Sequence, residues 1–401
     1  MRLRQGRSPI LASVARKTPE NCEASLRAEL TRAVLRALND SHVPYSILGA
    51  EPGATDFSDS DLDFAVAPEY FNSVPKLLAA AADVIGAHLI QAIQHESCAT
   101  YFVLAKQGGT RVGFLNPDCT TDYRRNMRLW LRSNELLAEA QDDPGGFSRP
   151  TRDKDFIYYL VKHVLKPSLT ESQLRKLVWL QGGEPHLAET LRFWPPTLAA
   201  RLEWALLQGD RVWLESNRET LLKELHSSPP QENLPQRAGA MMSEIARLIR
   251  RVLHPAGLFV QVSFGTREQR LELADELARA MAPAFRHAWV LSDACGGRGA
   301  IVHVISDSSE NRCGICAALF RIARALIQST LVVSASDKVK GAIPGSLEVY
   351  CSSDVGEAEN LERAISAVIA FLSQRSARRL SLGGLQPPAP DNCGLAAQGC
   401  R

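Results

Sequence analysis

The chain has 401 residues, 45% of them hydrophobic, with 46 lysines and arginines against 44 aspartates and glutamates for a net charge of +2. That length accommodates two or three domains, each with apolar residues enough for a core. The near-neutral balance argues against a surface built throughout for nucleic acid, and no run approaches the ~18 apolar residues of a membrane-spanning helix, so neither nucleic-acid binding nor membrane insertion is expected.

Residues 1–22 are Arg-rich and hold only a short apolar run, Pro9 to Val14, too little for a secretory leader; a disordered basic start is expected. Leu26, Leu30, Val34, Leu35 and Leu38 recur at helical spacing and predict a helix over Ala24–Leu38. Pro44–Leu48 reads as a short strand. Gly49–Ser58, rich in Gly, Pro, Ser and Asp, must be a loop. Leu62, Phe64 and Val66 then alternate with Asp61, Asp63 and Ala65, the period of a strand. A helix is expected within Tyr70–Ala82. Strands over Thr100–Ala105 and Thr110–Leu115 flank Gln107-Gly108-Gly109 and predict a hairpin.

From Asp153 to Leu222 the pattern is helical, with Pro195-Pro196 separating two helices. Residues 227–239 are polar at first and carry Pro229, Pro230 and Pro235, which reads as a linker. A helix over Ala240–Leu253 leads into strand Gly257–Val262 and helix Arg267–Ala282. A strand over Ala300–Ile305, a helix over Cys316–Ile327, strands Leu331–Ser334 and Leu347–Cys351, and an amphipathic helix over Glu357–Gln374 follow. Alternating strands and helices predict a small parallel α/β sheet. The tail, 381–401, is rich in Gly and Pro and expected to be disordered. The resulting division is 23–150, 151–226 and 240–380.

Nine cysteines, odd in number and scattered, are expected as reduced thiols of a cytoplasmic protein, because a chain of this length needs no disulfides for its core. Cys313 and Cys316 form a lone C-x-x-C without a second ligand pair, so neither zinc nor redox chemistry is expected there.

The strongest chemical signal is Ser60-Asp61-Leu62-Asp63-Phe64. Residues two apart on a strand share a face, so Asp61 and Asp63 project together, about 7 Å apart along the strand, while Leu62 and Phe64 enter the core. Carboxylates so placed repel unless a cation lies between them. Mg²⁺ is hard, takes oxygen ligands and is commonly shared between one or two carboxylates and substrate phosphates. A D-x-D solvating an open strand face is the plainer alternative, but strand, glycine-bearing loop, Ser-Asp-x-Asp strand, helix and a later apolar strand leading to an Asp form a more specific order. That later Asp is Asp118, at the end of the strand that Pro117 stops, with Asp122 as the competing choice. Arg124 and Arg125, in the basic segment Asp122–Arg128, are candidates to clamp phosphates, the alternative being a solvated loop and helix start. Lys162 and Lys166, one turn apart, either face the cleft between the first two regions or form a polar helix face.

In these features the chain resembles the nucleotidyltransferase superfamily. The resemblance implies a mixed sheet with helices, Asp61, Asp63 and Asp118 as catalytic metal ligands for two Mg²⁺ ions, and a nucleoside triphosphate as substrate. Gly49, Ser60, Arg124, Arg125, Lys162 and Lys166 are the nucleotide-binding candidates. Gly49-Ala50 stands where the family carries a glycine and a small polar residue. The acceptor, a small molecule or a protein, is not identified by these residues.

A further resemblance spans most of the chain. Asp118 with Asp122-Tyr123-Arg124-Arg125, Asp155-Phe156-Ile157-Tyr158-Tyr159-Leu160 with Lys162 and Lys166, Gly257-Leu258-Phe259-Val260 and the helix ending Gln374–Arg379 resemble a bacterial family found with exopolysaccharide synthesis genes. It joins a nucleotidyltransferase-like half to a thymidylate-kinase-like P-loop half. The P-loop signature G-x-x-x-x-G-K-[ST] is missing. Ser263-Phe264-Gly265-Thr266-Arg267-Glu268-Gln269-Arg270 stands in its place, with one glycine and no Lys-Ser/Thr pair. A degenerate P-loop unit without kinase activity is expected. Gly296-Gly297-Arg298-Gly299 is a weaker candidate for an anion loop, against an ordinary surface turn. A non-catalytic scaffold or regulator of polysaccharide synthesis is the competing reading of the whole.

Overall fold

The computed structural model describes residues 20–50, 57, 62–166, 168–263, 265–285, 287–292, 301–303, 329–335, 346–350, 352 and 354–381. Ser60, Asp61, the Gly296–Gly299 cluster, Cys313, Cys316 and the helix expected over Cys316–Ile327 lie outside the described residues, as do residues 1–19 and 382–401. The chain is mixed α/β, with twelve helices among the described residues.

Helix α1 (Glu20–Asp40) buries Leu30, Val34 and Leu38 at helical spacing. With α2 (Val74–Val84) it covers one face of a mixed sheet of β1 (Tyr45–Ile47), β2 (Leu62–Val66), β3 (His88–Glu96), β4 (Ala99–Gly108), β5 (Arg111–Leu115) and β6 (Pro117–Thr120). The order is β1-β2-β6-β4-β3, with β5 beside the outer part of β4. β2 and β6 are parallel; the other pairs are antiparallel. The expected hairpin is β4–β5, turning at Gly109 with φ +64°.

Asp118 does not sit at the end of a strand. Pro117 opens β6, a position a proline tolerates because the first residue of a strand need not donate to the ladder. The ladder resumes beyond it, and Asp118 lies between Asp63 of β2 and Tyr101 of β4 as register partner of both. The segment after it is also not a loop leading to a helix. β7 (Tyr123–Arg125) and β8 (Arg128–Leu131) form a hairpin whose turn residues, Asn126 and Met127, have φ +53° and +65°. Positive φ at both central positions is what a two-residue hairpin turn demands.

A short helix, α3 (Ser133–Leu137), and the hairpin β9 (Gln141–Asp143) and β10 (Phe147–Arg149) lead to the helical region. Its helices are α4 (Arg152–Val164), α5 (Glu171–Gln181), α6 (Leu187–Thr190), α7 (Pro196–Leu207), α8 (Arg211–Ser216) and α9 (Arg218–Ser227). α4 is buried on most sides, with Phe156, Ile157, Leu160 and Val161 in the helical core, and it backs directly onto the sheet. The stretch 227–239 is held in place. Gln231 donates to the Trp130 carbonyl at 2.7 Å, Arg132 donates to the Gln231 carbonyl at 3.0 Å, and α10 (Leu234–Leu253) has already begun at Leu234.

The last part holds β11 (Leu258–Ser263), β12 (His287–Ser292), β13 (Ile301–His303), β14 (Thr330–Ser334) and β15 (Leu347–Tyr350), in the order β13-β12-β14-β11-β15. Four strands are parallel, as expected; β13 is an antiparallel edge. α11 (Arg267–Met281) and α12 (Glu357–Ser381) pack on this sheet.

The division into separate terminal units needs revision. Along β4, Phe102 and Leu104 join the core under α1 and α2, whereas Val103 and Ala105 point the other way. On that second face Ile90, Val103, Ala105, Val112 and Phe114 share one buried cluster with Val260, Leu277, Leu331 and Val368 of the C-terminal part. A sheet buried on both faces explains why Phe102-Val103-Leu104-Ala105 is apolar without interruption.

Candidate functional site

Asp63 and Asp118 lie side by side because β2 and β6 pair in parallel register. Both face a cleft of about 600 Å³ whose walls also include Gly49, Arg125, Tyr159, Lys162, Lys166 and Lys176. Arg251 from the end of α10 and Phe285 from the C-terminal part complete the lining. Five cationic side chains (Arg125, Lys162, Lys166, Lys176, Arg251) against two carboxylates (Asp63, Asp118) leave the lining at +3.

Lys162 reaches across from α4 and donates to Asp63 Oδ2, and its Nζ lies 3.3 Å from the Tyr158 hydroxyl. Burial opposes the charge of Lys162, but Tyr158, Asp63 and Asp118 outweigh it and hold the ammonium well above the ordinary lysine range. His95 of β3 sits with Nε2 3.7 Å from Asp118 Oδ2. Burial, reinforced by Arg247 and Arg125, lowers its pKa to about 4, so the ring is neutral at pH 7 and this contact is not an ion pair. His163 is lowered to about 3 by burial and by Lys166 and Lys162, and its ring lies tilted at 49° against that of Tyr159, centroids 4.2 Å apart.

Gly49 follows β1 with φ +66°; a Cβ there would lie 3.2 Å from Tyr159 Cδ2 and 3.3 Å from Lys176 Cε. Its amide N–H donates to Asp155 Oδ1 at 2.6 Å. Burial raises the Asp155 carboxyl to about 7, against the lowering effect of that hydrogen bond and of Lys176. The amide of Gly49 is thus committed inward, and its contribution to the cleft is the absence of a side chain, which permits close approach.

The structure therefore brings Gly49, Asp63, Asp118, Arg125, Lys162 and Lys166 to one cleft. Arg124 is elsewhere: it makes a bidentate pair with Glu232, at 2.9 and 2.6 Å. Alternation along β7 sends neighbouring arginines to opposite sides. Asp122 accepts from the Ser133 amide at 2.9 Å and does not line the cleft. His95, Tyr159, Lys176 and Arg251 are cleft residues that the sequence reading missed. Lys176 had a usable signal, being a cation on the helix after Lys162 and Lys166. Arg251 had none, since nothing local says that the end of a distant helix closes this cleft.

Among the described residues, no three His, Cys, Asp or Glu groups converge closely enough to hold a metal alone. Asp63 and Asp118 supply two carboxylates, the donor type of Mg²⁺, which often completes its shell with substrate phosphates and water. The donor set fits an ion arriving with a polyphosphate. Beyond β11, the N-terminus of α11 is closed upon itself. Thr266 and Gln269 form a reciprocal capping box, and Arg270 donates to the Gly265 carbonyl at 3.1 Å. Comparison of the chain with protein-family models, with curated proteins and with solved structures finds no match in any of the three.

Proposed function

We propose that the cleft binds a nucleoside triphosphate and transfers its nucleotidyl group to an acceptor oxygen. The observation that carries this reading is the register pairing of Asp63 with Asp118 at the wall of a cleft whose lining is net cationic. In the reaction the acceptor oxygen bonds to the α-phosphorus, the bond from that phosphorus to the bridging oxygen breaks, and pyrophosphate leaves with its electron pair. Lys162, Lys166, Lys176, Arg125 and Arg251 offset the triphosphate charge, and Tyr159 beside Gly49 offers a ring surface. Asp63 and Asp118, with Asp61 as the neighbouring carboxylate in sequence, would hold Mg²⁺, whose chemistry here is to lower the pKa of an attacking hydroxyl and stabilise the leaving pyrophosphate. The parallel strand order around β11, with a strand, a capped turn and a helix where phosphate loops occur, supports reading the C-terminal part as a P-loop unit that has lost its kinase site.

One observation favours the scaffold reading: Lys162 already neutralises Asp63, in the position a cation would take. The two readings separate on pyrophosphate release. The full chain, given Mg²⁺, the four nucleoside triphosphates and a panel of phosphorylated and hydroxylated acceptors, is expected to release pyrophosphate, and Asp118→Asn to abolish it. Tight nucleotide binding without release in any combination would leave the scaffold.

A further inference from the structure

A second pocket of about 460 Å³ lies between α10, α12 and the middle of β3. Its lining holds six arginines and no carboxylate. It abuts the cleft, because Ile93 and Arg251 line both. Part of the arginine cluster is structural. Arg375 donates to the carbonyls of Gly257 and Ala256 at 2.7 and 2.8 Å, and Arg379 to that of Pro255 at 2.9 Å. Two helix C-termini meet here and attract cations, but each carries roughly half a negative charge, so together they offset about one arginine. Arg375, Arg378 and Arg379 have no carboxylate partner among the described residues, which leaves about two charges over. Burial, together with Arg379, pulls Arg375 down to about 9. Phe371 and Leu380 give the same pocket an apolar wall.

We propose that this pocket receives the phosphate of the acceptor, an organic phosphate whose apolar or ring portion rests on Phe371 and whose reacting oxygen passes Arg251 into the cleft. This rests on the nucleotidyltransferase reading for the acceptor's role, but the binding itself is testable without it. Titration calorimetry of the full chain with phenyl phosphate, without nucleotide or metal, is expected to show one site. Arg378→Glu combined with Arg379→Gln should weaken it at least tenfold, because a guanidinium–phosphate pair is charge-assisted. Lys166→Ala combined with Lys176→Ala, in the cleft, should leave it within twofold. No binding to the wild type, or loss in the lysine variant with none in the arginine variant, overturns the proposal. Binding as expected with no pyrophosphate release for any acceptor would sink the transferase reading and keep the pocket.

A separate observation concerns the other side of α10. Leu234, Ala238, Met241, Ile245, Leu248 and Val252 follow the 4-3-4-3-4 spacing of a coiled-coil seam. The large ones are exposed, from 43% for Ile245 to 78% for Leu234, whereas the helix buries Arg247, which donates to the Gln94 carbonyl at 3.2 Å. The helix thus turns its apolar face outward. Ile245 and Val252 alternate with Leu248 in the a and d pattern that favours two strands, and with Met242, Ile249 and Leu253 alongside, the face amounts to roughly 800 Å² per copy, that of a standard interface. We infer that α10 pairs with α10 of a second copy of this chain. Light scattering behind size exclusion should show a dimer for the wild type and a monomer for Ile245→Glu/Leu248→Glu, with unchanged circular dichroism, since both side chains are exposed. A monomeric wild type at tens of micromolar, a variant that stays dimeric, or a monomer that floats with anionic phosphatidylserine vesicles through this helix would overturn it.

Discussion

Replacing Lys162 by Met tests the electrostatics of the cleft most directly. The substitution keeps the length of the stem and removes the ammonium, leaving Asp63 and Asp118 adjacent without it. Breaking one side of a fully buried pair costs about 3–5 kcal/mol. The Lys162 and Asp63 side chains retain 20% and 21% exposure, so solvent screening reduces the expected loss to about 2 kcal/mol. With an unfolding entropy of about 2.1 cal/mol/K per residue, a cooperative chain of 401 residues loses about 2–3 °C in Tm. In the variant the two carboxylates face each other without the ammonium beside them. Mn²⁺ should stabilise the variant more than the wild type, because it no longer displaces an ammonium; a hundredfold excess over Kd contributes about 2.7 kcal/mol. Calorimetric scans with and without Mn²⁺ make the measurement. An unchanged Tm, or equal Mn²⁺ stabilisation of both proteins, would refute the reasoning.

The other expectations follow from the same geometry. Gly49→Ala forces a Cβ into left-handed backbone against Tyr159 and Lys176 and should lower stability by about 1–2 kcal/mol by urea titration. An unchanged midpoint would mean that the turn relaxes freely. Asp155 has its folded pKa raised to about 7, above the unfolded value, so it contributes a loss of stability as pH rises from about 4 to about 7. The Tm difference of Asp155→Asn over wild type should therefore increase across that window, and a flat difference would place the titration elsewhere. Arg125→Ala should weaken nucleotide binding with little change in Tm. Arg124→Ala should do the reverse, leaving Glu232 unpaired where β7 meets the segment before α10; the opposite outcome would reverse their assignment. The full chain should not phosphorylate nucleoside monophosphates, and turnover abolished by Arg270→Ala would show that the loop before α11 still works.

What could be read in the sequence was local. The alternation Leu62-Asp63-Phe64-Ala65-Val66 placed Asp63 on a strand with its neighbours in the core, and Gln107-Gly108-Gly109 marked the hairpin. Pairing across strands was not legible, because the β2–β6 register depends on the ladder restarting after Pro117 and no residue near Asp118 reports it. β3 escaped notice because Gln91, Gln94, His95 and Glu96 dilute its apolar residues: Gln91 accepts from Ser329, the Gln94 carbonyl accepts from Arg247, and His95 faces the cleft. Lys162 read either as a cleft residue or as half of a polar helix face; it lines the cleft from a mostly buried helix, as the partner of Asp63.

The shared core makes a final prediction about how the chain comes apart. A fragment of residues 234–381 contains every described strand of the C-terminal sheet, and by sequence alone it resembles an independent α/β unit. Its α11 and α12, however, close over Ile90, Val103, Val112 and Phe114 of the N-terminal sheet, all buried in one cluster with Leu277 and Val368. Burying such a side chain contributes roughly 1.5–3 kcal/mol, so losing four such contacts removes on the order of 6–12 kcal/mol as an upper bound. That is comparable to the entire net stability of an ordinary domain, about 5–15 kcal/mol. The excised fragment should therefore lack a cooperative thermal transition and bind a hydrophobic dye, whereas the full chain should melt with both parts together. Separate melting transitions in the full chain, or a well-dispersed amide spectrum from the fragment, would show that the interface between the two sheets contributes far less than its burial implies.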